Sequence, residues 1–148
     1  LEFYKRMKNV KAYSYDGVNL PFENNFFDRI IISHCLEHTN EPEKFLLEIM
    51  SKLKNSGVLS ISLPTDPGLL WRLGKLFTKY FTAKRTYKIS SREYDYMLAT
   101  EHINSIFNLI SLIKYHFKDQ IEESFIPFKI KLVDLNLFYN VHITKVEH

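Results

Sequence analysis

The segment from residue 15 to residue 64 carries the clearest fold signal in the sequence and reads YDGVNLPFENNFFDRIIISHCLEHTNEPEKFLLEIMSKLKNSGVLSISLP. Its run of Ile30, Ile31 and Ile32 predicts a strand over residues 27–33 that is buried on both faces of a parallel sheet. A second apolar run predicts another buried strand over residues 58–63, which ends at Pro64. The two strands form the centre of the predicted fold.

The segment between these strands predicts a helix. Asn40 is placed to cap its start, with Glu43 as the partner three residues on, and the run from residue 55 to Gly57 is placed to end it. The apolar residues at helical spacing are Phe45, Leu46, Ile49, Met50 and Leu53. Strand, helix and strand of this length indicate one right-handed crossover unit of an α/β sheet.

Short motifs occur along this stretch in a characteristic order. They are Asp16-Gly17, Leu20-Pro21-Phe22, Phe27-Asp28, Leu36-Glu37-His38 and Gly57. Over residues 10–64 this order resembles the second half of the class I, Rossmann-like S-adenosylmethionine-dependent methyltransferases. The resemblance implies a single partial α/β domain over residues 1–148. Its incomplete Rossmann-like sheet would be followed by a helical lid over residues 65–120 and an antiparallel hairpin over residues 121–148.

The resemblance also implies S-adenosylmethionine as the cofactor and assigns its contacts. A short strand over residues 10–15 would lead to a loop over the adenine ring. There Asp16 would accept a hydrogen bond from the adenine amino group, and the backbone N–H of Gly17 would meet a ring nitrogen. An ordinary turn at Asp16-Gly17 is the alternative. The residues that would touch the cofactor after the central strand are Ser33, His34 and Cys35.

The glycine-rich turn of this family is missing. The four glycines stand at positions 17, 57, 68 and 74, and none forms a Gly-x-Gly cluster. In this family, two further strands carry the glycine-rich turn and the acidic residue that binds the ribose. In the spatial order of the sheet, they lie between the strands that correspond to residues 10–15 and residues 27–33 here. We therefore expect this sequence to be the C-terminal portion of a longer enzyme. We expect this portion by itself not to bind the cofactor.

The segment after the central strand supplies the candidate catalytic residues. The resemblance places Glu37 and His38 near the methyl acceptor. The unperturbed pKa of a histidine side chain suits a base for a hydroxyl or amine acceptor, so His38 and His34 are the candidate bases. His38 could instead cap or pack the helix start. A metal cluster of His34, Cys35, Glu37 and His38 is less favoured because no second ligand pair lies nearby in sequence. The sequence therefore predicts no metal site.

A basic, amphipathic segment follows residue 68. Seven basic residues and no acidic one lie between positions 72 and 92, namely Arg72, Lys75, Lys79, Lys84, Arg85, Lys88 and Arg92. The apolar stripe of the predicted helix consists of Leu69, Leu70, Leu73, Leu76 and Phe77. The basic face is either solvated or attracts an anionic substrate or an acidic lipid surface. Nucleic acid is not favoured, because the net charge is only +3 and the aromatic residues share helical spacing.

The rest of the chain predicts one long helix over residues 93–117 and two strands, over residues 125–133 and 136–144. The inward residues of the helix would be Ile103, Ile106, Phe107, Ile110 and Ile113. Trp71, Tyr96 and His102 are candidates to contact the acceptor together with Glu37, although polar residues near a helix start are commonly solvated.

Composition limits the class of protein. Apolar residues make up 45% and charged residues 25% of the 148 positions, which suits one folded domain. The single cysteine, Cys35, excludes an internal disulfide, and we expect a cytoplasmic location. The predicted function is methyl transfer to a small-molecule or lipid-linked acceptor, with peripheral membrane contact through the basic segment. The alternative is a non-catalytic interaction module.

Overall fold

The computed structural model describes residues 8–13, 19–83, 85–86 and 88–146. Four strands, β1 (Phe27–Ser33), β2 (Leu53–Pro64), β3 (Ile121–Ile126) and β4 (Phe138–Thr144), form one sheet in the order β1-β2-β4-β3. β1 and β2 are parallel neighbours, whereas β4 runs antiparallel to both β2 and β3. The predicted parallel pair, the mixed sheet and the terminal antiparallel hairpin are confirmed.

Four helices accompany the sheet. α1 (Pro42–Lys52) joins β1 to β2, and α2 (Leu69–Phe77) continues into a π-helical turn over Thr78–Ala83. α3 (Ser91–Glu101) and α4 (Ile106–Phe117) precede β3. Short 3-10 turns lie at Leu36–His38, Lys118–Gln120 and Val133–Leu135. Within the described ranges, no helix has the length and apolar character needed to cross a bilayer.

One apolar core joins the sheet to α1 and α4. Leu59, Ile61 and Leu63 of β2 are buried in it, in alternation with Ser60 and Ser62, as the two-residue period of a strand requires. α1 contributes Leu46, Ile49 and Met50, and α4 contributes Ile106, Leu109, Ile113 and Phe117. Because both helices are tied to the sheet by this core, the turn after β1 and the start of α4 are held near each other.

β1 differs from the expected doubly buried strand. The side chain of Ile31 is 70% exposed, whereas Ile32 is buried. The prediction of burial on both faces is wrong for β1, because no described element covers the face that carries Ile31. Lys11 to Tyr13 also lie outside any strand, and residues 14 and 15 lie outside the described ranges. Among the described residues no strand pairs with positions 10–13, so this part of the predicted strand has no ladder of hydrogen bonds to stabilise it.

The ends of α1 also differ from the prediction. Glu41, not Asn40, occupies the N-cap position, and no side chain caps the helix. Asn40 lies one residue too early for its side chain to serve the first turn. The helix ends at Lys52 because Leu53 already pairs with Phe27 in the sheet. Gly57 therefore lies in an irregular part of β2, between the residues that pair with Phe27 and Arg29.

The predicted long helix over residues 93–117 is two helices. The chain turns between His102 and Ser105, where the hydroxyl of Ser105 accepts a hydrogen bond from the N–H of Asn108 and caps α4. The N–H groups of Ile103 and Asn104 donate to the carbonyl oxygen of Glu37, which holds this turn against the loop after β1. Ile103, expected inward, is exposed as a result.

The first strand of the terminal hairpin is also shifted. β3 spans Ile121–Ile126, whereas the sequence pattern predicted residues 125–133. Pro127 follows Ile126 directly and has no N–H to donate to the ladder, so the strand ends there. The second strand, β4, lies within its predicted range.

Candidate functional site

A cavity of about 440 Å³ lies at the carboxyl end of β1. Its walls come from the turn after β1, from α2 and the first residue after it, from α3 and the residue after it, and from Leu137. We call it the histidine cavity, because His34, His38 and His102 all line it. It brings together segments that are more than 60 residues apart in sequence.

Glu37 is a buried acid in the wall of this cavity. Its side chain is 2% exposed, and neither carboxylate oxygen accepts a hydrogen bond from any described residue. The nearest nitrogens to Oε1 are Nδ1 of His34 at 3.5 Å and Nε2 of His38 at 3.8 Å. A carboxylate without hydrogen-bond partners is costly to bury, so this position points to a functional role.

Hydrogen bonds fix the proton positions on two imidazole rings. Nδ1 of His38 donates to the carbonyl oxygen of Glu101 at 2.5 Å, and a carbonyl oxygen only accepts. Nδ1 of His102 donates to Oδ2 of Asp66 at 2.7 Å, and the same carboxylate accepts from Lys75. In their neutral forms both rings therefore carry an unprotonated Nε2. The ring centroids of His38 and His102 are 5.0 Å apart.

Trp71 forms an aromatic wall of the histidine cavity. Its ring lies 6.3 Å from the ring of His102, and Nζ of Lys75 lies 5.9 Å from the tryptophan ring centroid. The indole N–H is buried and has no hydrogen-bond acceptor among the described residues. The wall therefore offers a bound molecule an apolar aromatic surface.

Comparison with known proteins agrees with this architecture. A family model described as "Methyltransferase domain" matches residues 2–61. A demethylmenaquinone methyltransferase of Paenarthrobacter aurescens is 32% identical over 105 residues, which cover 68% of this chain and 41% of that protein. The chain thus spans about two fifths of the length of that curated relative.

Solved structures show the same fold. A Thermotoga maritima methyltransferase, described as a possible histamine N-methyltransferase, aligns with a TM-score of 0.59 at 16% identity, over 92% of this chain and 64% of that one. Phosphoethanolamine N-methyltransferase 2 of Haemonchus contortus, in complex with S-adenosyl-L-methionine, aligns with a TM-score of 0.54 at 14% identity, over 89% of this chain and 36% of that one. The chain has the class I methyltransferase fold. The resemblance inferred from the motifs is confirmed.

On this methyltransferase fold, the predicted cofactor residues separate into two places. Ser33 and Cys35 line a groove of about 510 Å³ along β1, whereas His34 lines the histidine cavity. The backbone of His34 has a φ of 50°, a left-handed conformation at the point where the chain leaves the strand. Asp16 and Gly17 lie outside the described residues.

The thiol of Cys35 is a neutral group in this setting. Burial raises its pKa, and the nearby negative charge of Glu37 raises the pKa further. The thiol therefore stays protonated at neutral pH and is a poor nucleophile. A role for Cys35 in contacting a ligand is compatible with this state, whereas a role in covalent catalysis is not.

The predicted acceptor residues meet in the histidine cavity with one exception. Glu37, Trp71 and His102 line it together, and their contact with an acceptor stays a prediction. Tyr96 does not line it and is 71% exposed, because the face of α3 that meets the cavity carries Tyr94 instead. Tyr94, Leu98 and Glu101, which the sequence analysis did not select, recur at helical spacing, and this spacing is the signal that could have identified them.

The basic segment is oriented differently from the expectation. Lys75 and Lys79 are mostly buried, and they pair with Asp66 and Asp95, acids that lie outside the basic run. The apolar stripe of α2 faces outward, with Leu69, Leu73, Leu76 and Phe77 exposed. Among the described residues of the run, the basic side chains that remain exposed are Arg72, Arg85, Lys88 and Arg92.

Proposed function

We propose that this chain forms the acceptor-binding part of an enzyme that transfers a methyl group from S-adenosylmethionine to a small-molecule or lipid-linked acceptor. The observation that carries the proposal is the histidine cavity, where imidazole rings surround a buried carboxylate at the carboxyl end of β1. Ligands of α/β sheets bind at such strand ends. The methyltransferase fold makes methyl transfer the chemistry that this cavity supports best.

The groove along β1 fits one part of the cofactor. Ser33 and Cys35 place small polar groups beside an apolar wall, and none of the described residues that line the groove is acidic. An acidic partner for the ribose hydroxyls and a glycine-rich turn would have to come from other parts of a longer protein. When bound, S-adenosylmethionine supplies a methyl group on a positively charged sulfur. We assign Ser33 and Cys35 to contacts near the sulfur and methyl group of the cofactor, and Asp16 and Gly17 to contacts with the adenine ring.

The histidine cavity can orient an acceptor and remove its proton. His34 and His38 flank Glu37, and the unprotonated Nε2 of His38 is a suitable base for a hydroxyl or amine. Transfer then requires that the acceptor atom lie in line with the methyl group, which is a matter of positioning.

An acceptor with an apolar portion suits the surroundings of the cavity. Trp71 and Leu98 line it, and the exposed apolar side chains of α2 continue on the outer surface of the same helix. The related protein of Paenarthrobacter aurescens is named for an acceptor of this kind, demethylmenaquinone. We therefore favour a lipid-linked acceptor over a small, highly polar one.

Methyl transfer can be tested with the full-length protein by mass spectrometry. The protein is incubated with S-adenosylmethionine and, in turn, a reduced demethylmenaquinone analogue, histamine and phosphoethanolamine. We expect methylation of the quinol. His34→Gln and His38→Gln should show which ring acts as the base, because loss of a general base lowers kcat by roughly 100-fold or more.

His116→Gln is the matched control, because His116 also pairs with a carboxylate, Glu43, but does not line the cavity. This variant should keep the parent activity. A full-length protein that neither binds S-adenosylmethionine in calorimetry nor methylates any of the three acceptors would contradict the proposal. Such a result would favour the alternative of a non-catalytic interaction module.

A further inference from the structure

We propose that Glu37, His38 and His102 form a binding site for one divalent transition-metal ion such as Zn²⁺ or Mn²⁺. Each residue offers one ligand atom, and these atoms lie within 4.8 Å of one another. Ligand atoms about 2.1 Å from a tetrahedral ion are separated by roughly 3.4 Å. A contraction of up to about 1.4 Å between these atoms, through rotation of the side chains, would therefore bring all three to an ion.

The hydrogen bonds of the rings leave one free lone pair on each neutral ring. Since Nδ1 of His38 and Nδ1 of His102 both carry protons, the free ligand atom of each neutral ring is Nε2. The carboxylate of Glu37 also has only lone pairs to offer. Three electron-pair donors meet without a proton between them, and a cation is the partner that satisfies all three.

The burial of Glu37 provides an independent reason for a cation. Both of its oxygens are buried without a hydrogen-bond donor among the described residues. A protonated His34 or His38 would supply a positive charge, but Nδ1 of His34 lies 3.5 Å and Nε2 of His38 lies 3.8 Å from Oε1. Both distances are beyond ordinary hydrogen-bond length, and both arrangements leave Oε2 without a partner. A metal ion would compensate the buried negative charge directly.

The outer contacts of the site are those that metal-binding histidines generally have. His102 donates through Nδ1 to the carboxylate of Asp66, and His38 donates through Nδ1 to a backbone carbonyl. Such contacts orient the ring and fix the tautomer that presents Nε2 to a metal. Lys75 in turn holds Asp66, so the charge of this lysine is already paired and does not face the site alone.

The role of the ion in catalysis rests on the proposed function. Three protein ligands leave a position open on a tetrahedral ion, and an oxygen of the acceptor can occupy it. With its Nε2 bound to the ion, His38 no longer serves as the base. His34, which lies beside Glu37 and is partly exposed, then remains as the residue that removes the acceptor's proton.

Metal binding can be measured without cofactor or acceptor. The full-length protein is treated with a chelator and titrated with Co²⁺, followed by its absorption spectrum, and with Zn²⁺ in a calorimeter. We expect one ion per chain. Glu37→Gln and His102→Gln should abolish stoichiometric binding, and Asp66→Asn should weaken it by about 10–100-fold through the orientation of His102. His116→Gln, a control outside the cavity, should bind as the parent does.

The parent protein alone can overturn the proposal, whether or not the variants fold. A parent that binds neither Co²⁺ nor Zn²⁺ at a ratio of one ion per chain contradicts it. So does binding that is unchanged in folded Glu37→Gln and His102→Gln variants, as judged by circular dichroism. A protein that binds one ion through these residues but shows no methyl transfer would retain the metal site and overturn the proposed function.

Discussion

At the scale of single residues, Tyr139 and Glu123 form a buried polar contact within the hairpin. Tyr139 is fully buried, and its hydroxyl donates to Oε1 of Glu123 at 2.8 Å. Nζ of Lys114 lies 2.9 Å from the same carboxylate. Burial raises the pKa of Glu123, but the hydrogen bonds and the positive charge of Lys114 outweigh it, so the pKa lies below its ordinary value. Burial and the contact with Glu123 raise the pKa of Tyr139.

The lowered pKa of Glu123 predicts a stability that depends on pH. Because the pKa is lower in the folded chain, the unfolded chain binds more protons in acid. The contribution of Glu123 is therefore complete above the ordinary glutamate pKa of about 4.3 and is lost as the pH falls through the folded-state value. Urea unfolding of the parent and Glu123→Gln between pH 7 and pH 3 should show a difference of about 1–3 kcal/mol at pH 7 that narrows in acid.

Glu122→Gln is the control for this measurement, because Glu122 neighbours Glu123 in β3 but is exposed. Its unfolding free energy should follow that of the parent at every pH. A constant difference between the parent and Glu123→Gln across the range would show that the charge of Glu123 is not what stabilises the hairpin.

Among the helices and strands, two glycines differ in their surroundings, and we expect alanine at these two positions to change the stability of the fold in opposite directions. A Cβ at Gly57 in β2 would lie 2.8 Å from the carbonyl oxygen of Lys54 and 3.1 Å from that of Asp28. Because both contacts are backbone atoms, Gly57→Ala should destabilise the fold by about 1–3 kcal/mol. A Cβ at Gly74 in α2 would meet nothing within 4 Å, so Gly74→Ala should stabilise by about 0.5–1 kcal/mol. Thermal unfolding of the two variants tests both signs, and a shift of the same sign in both would refute the interpretation.

Local sequence patterns predict the elements that depend on neighbours in sequence. The isoleucines of β1 and the apolar residues of β2 are sufficient to predict an adjacent parallel pair, because the short helix between them permits only a crossover. The break between α3 and α4 was missed because apolar residues continue at helical spacing through it. The cap at Ser105 begins the second helix, and the hydrogen bonds to Glu37, which come from a distant segment, hold the turn between the two helices.

The full composition of the candidate site could not be predicted from sequence spacing, because residues far apart in sequence meet there. The sequence predicts no metal site because no second ligand pair lies near His38, and that prediction is not tested. The proposed metal site includes His102, 64 positions later, which only the folded chain brings close to His38. The lysines of the basic run were expected to lack acidic partners, because no acidic residue lies within the run itself. Their partners, Asp66 and Asp95, lie on either side of that run and become neighbours only in the folded chain.

At the scale of the whole molecule, the outward apolar stripe of α2 predicts contact with a lipid surface. We expect the protein to bind anionic vesicles in flotation assays, and Leu73→Ser combined with Phe77→Ser to weaken that binding at least several-fold, because two apolar side chains would no longer enter the lipid. Tyr115→Ser, at an exposed aromatic residue of α4, should have little effect.

The exposed basic residues add a test by salt. Arg72→Glu with Arg85→Glu should reduce vesicle binding at low salt and make the remaining binding less sensitive to salt, because exposed charges are screened beyond about 8 Å at physiological ionic strength. Unchanged vesicle binding in both sets of variants would indicate that this surface faces water or another protein.

The turn between α3 and α4 has a consequence for local opening of the chain. Ile103 and Asn104 donate to the carbonyl oxygen of Glu37, Ile106 donates to that of Asp66, and the side chain of Asn104 donates to carbonyl oxygens of Leu36 and Thr39. The amides of residues 103, 104 and 106 should therefore exchange their hydrogens with solvent at a common rate, as one cooperative unit. Asn104→Ala should accelerate the exchange of all three together, whereas amides in the middle of β2 keep their slow rates.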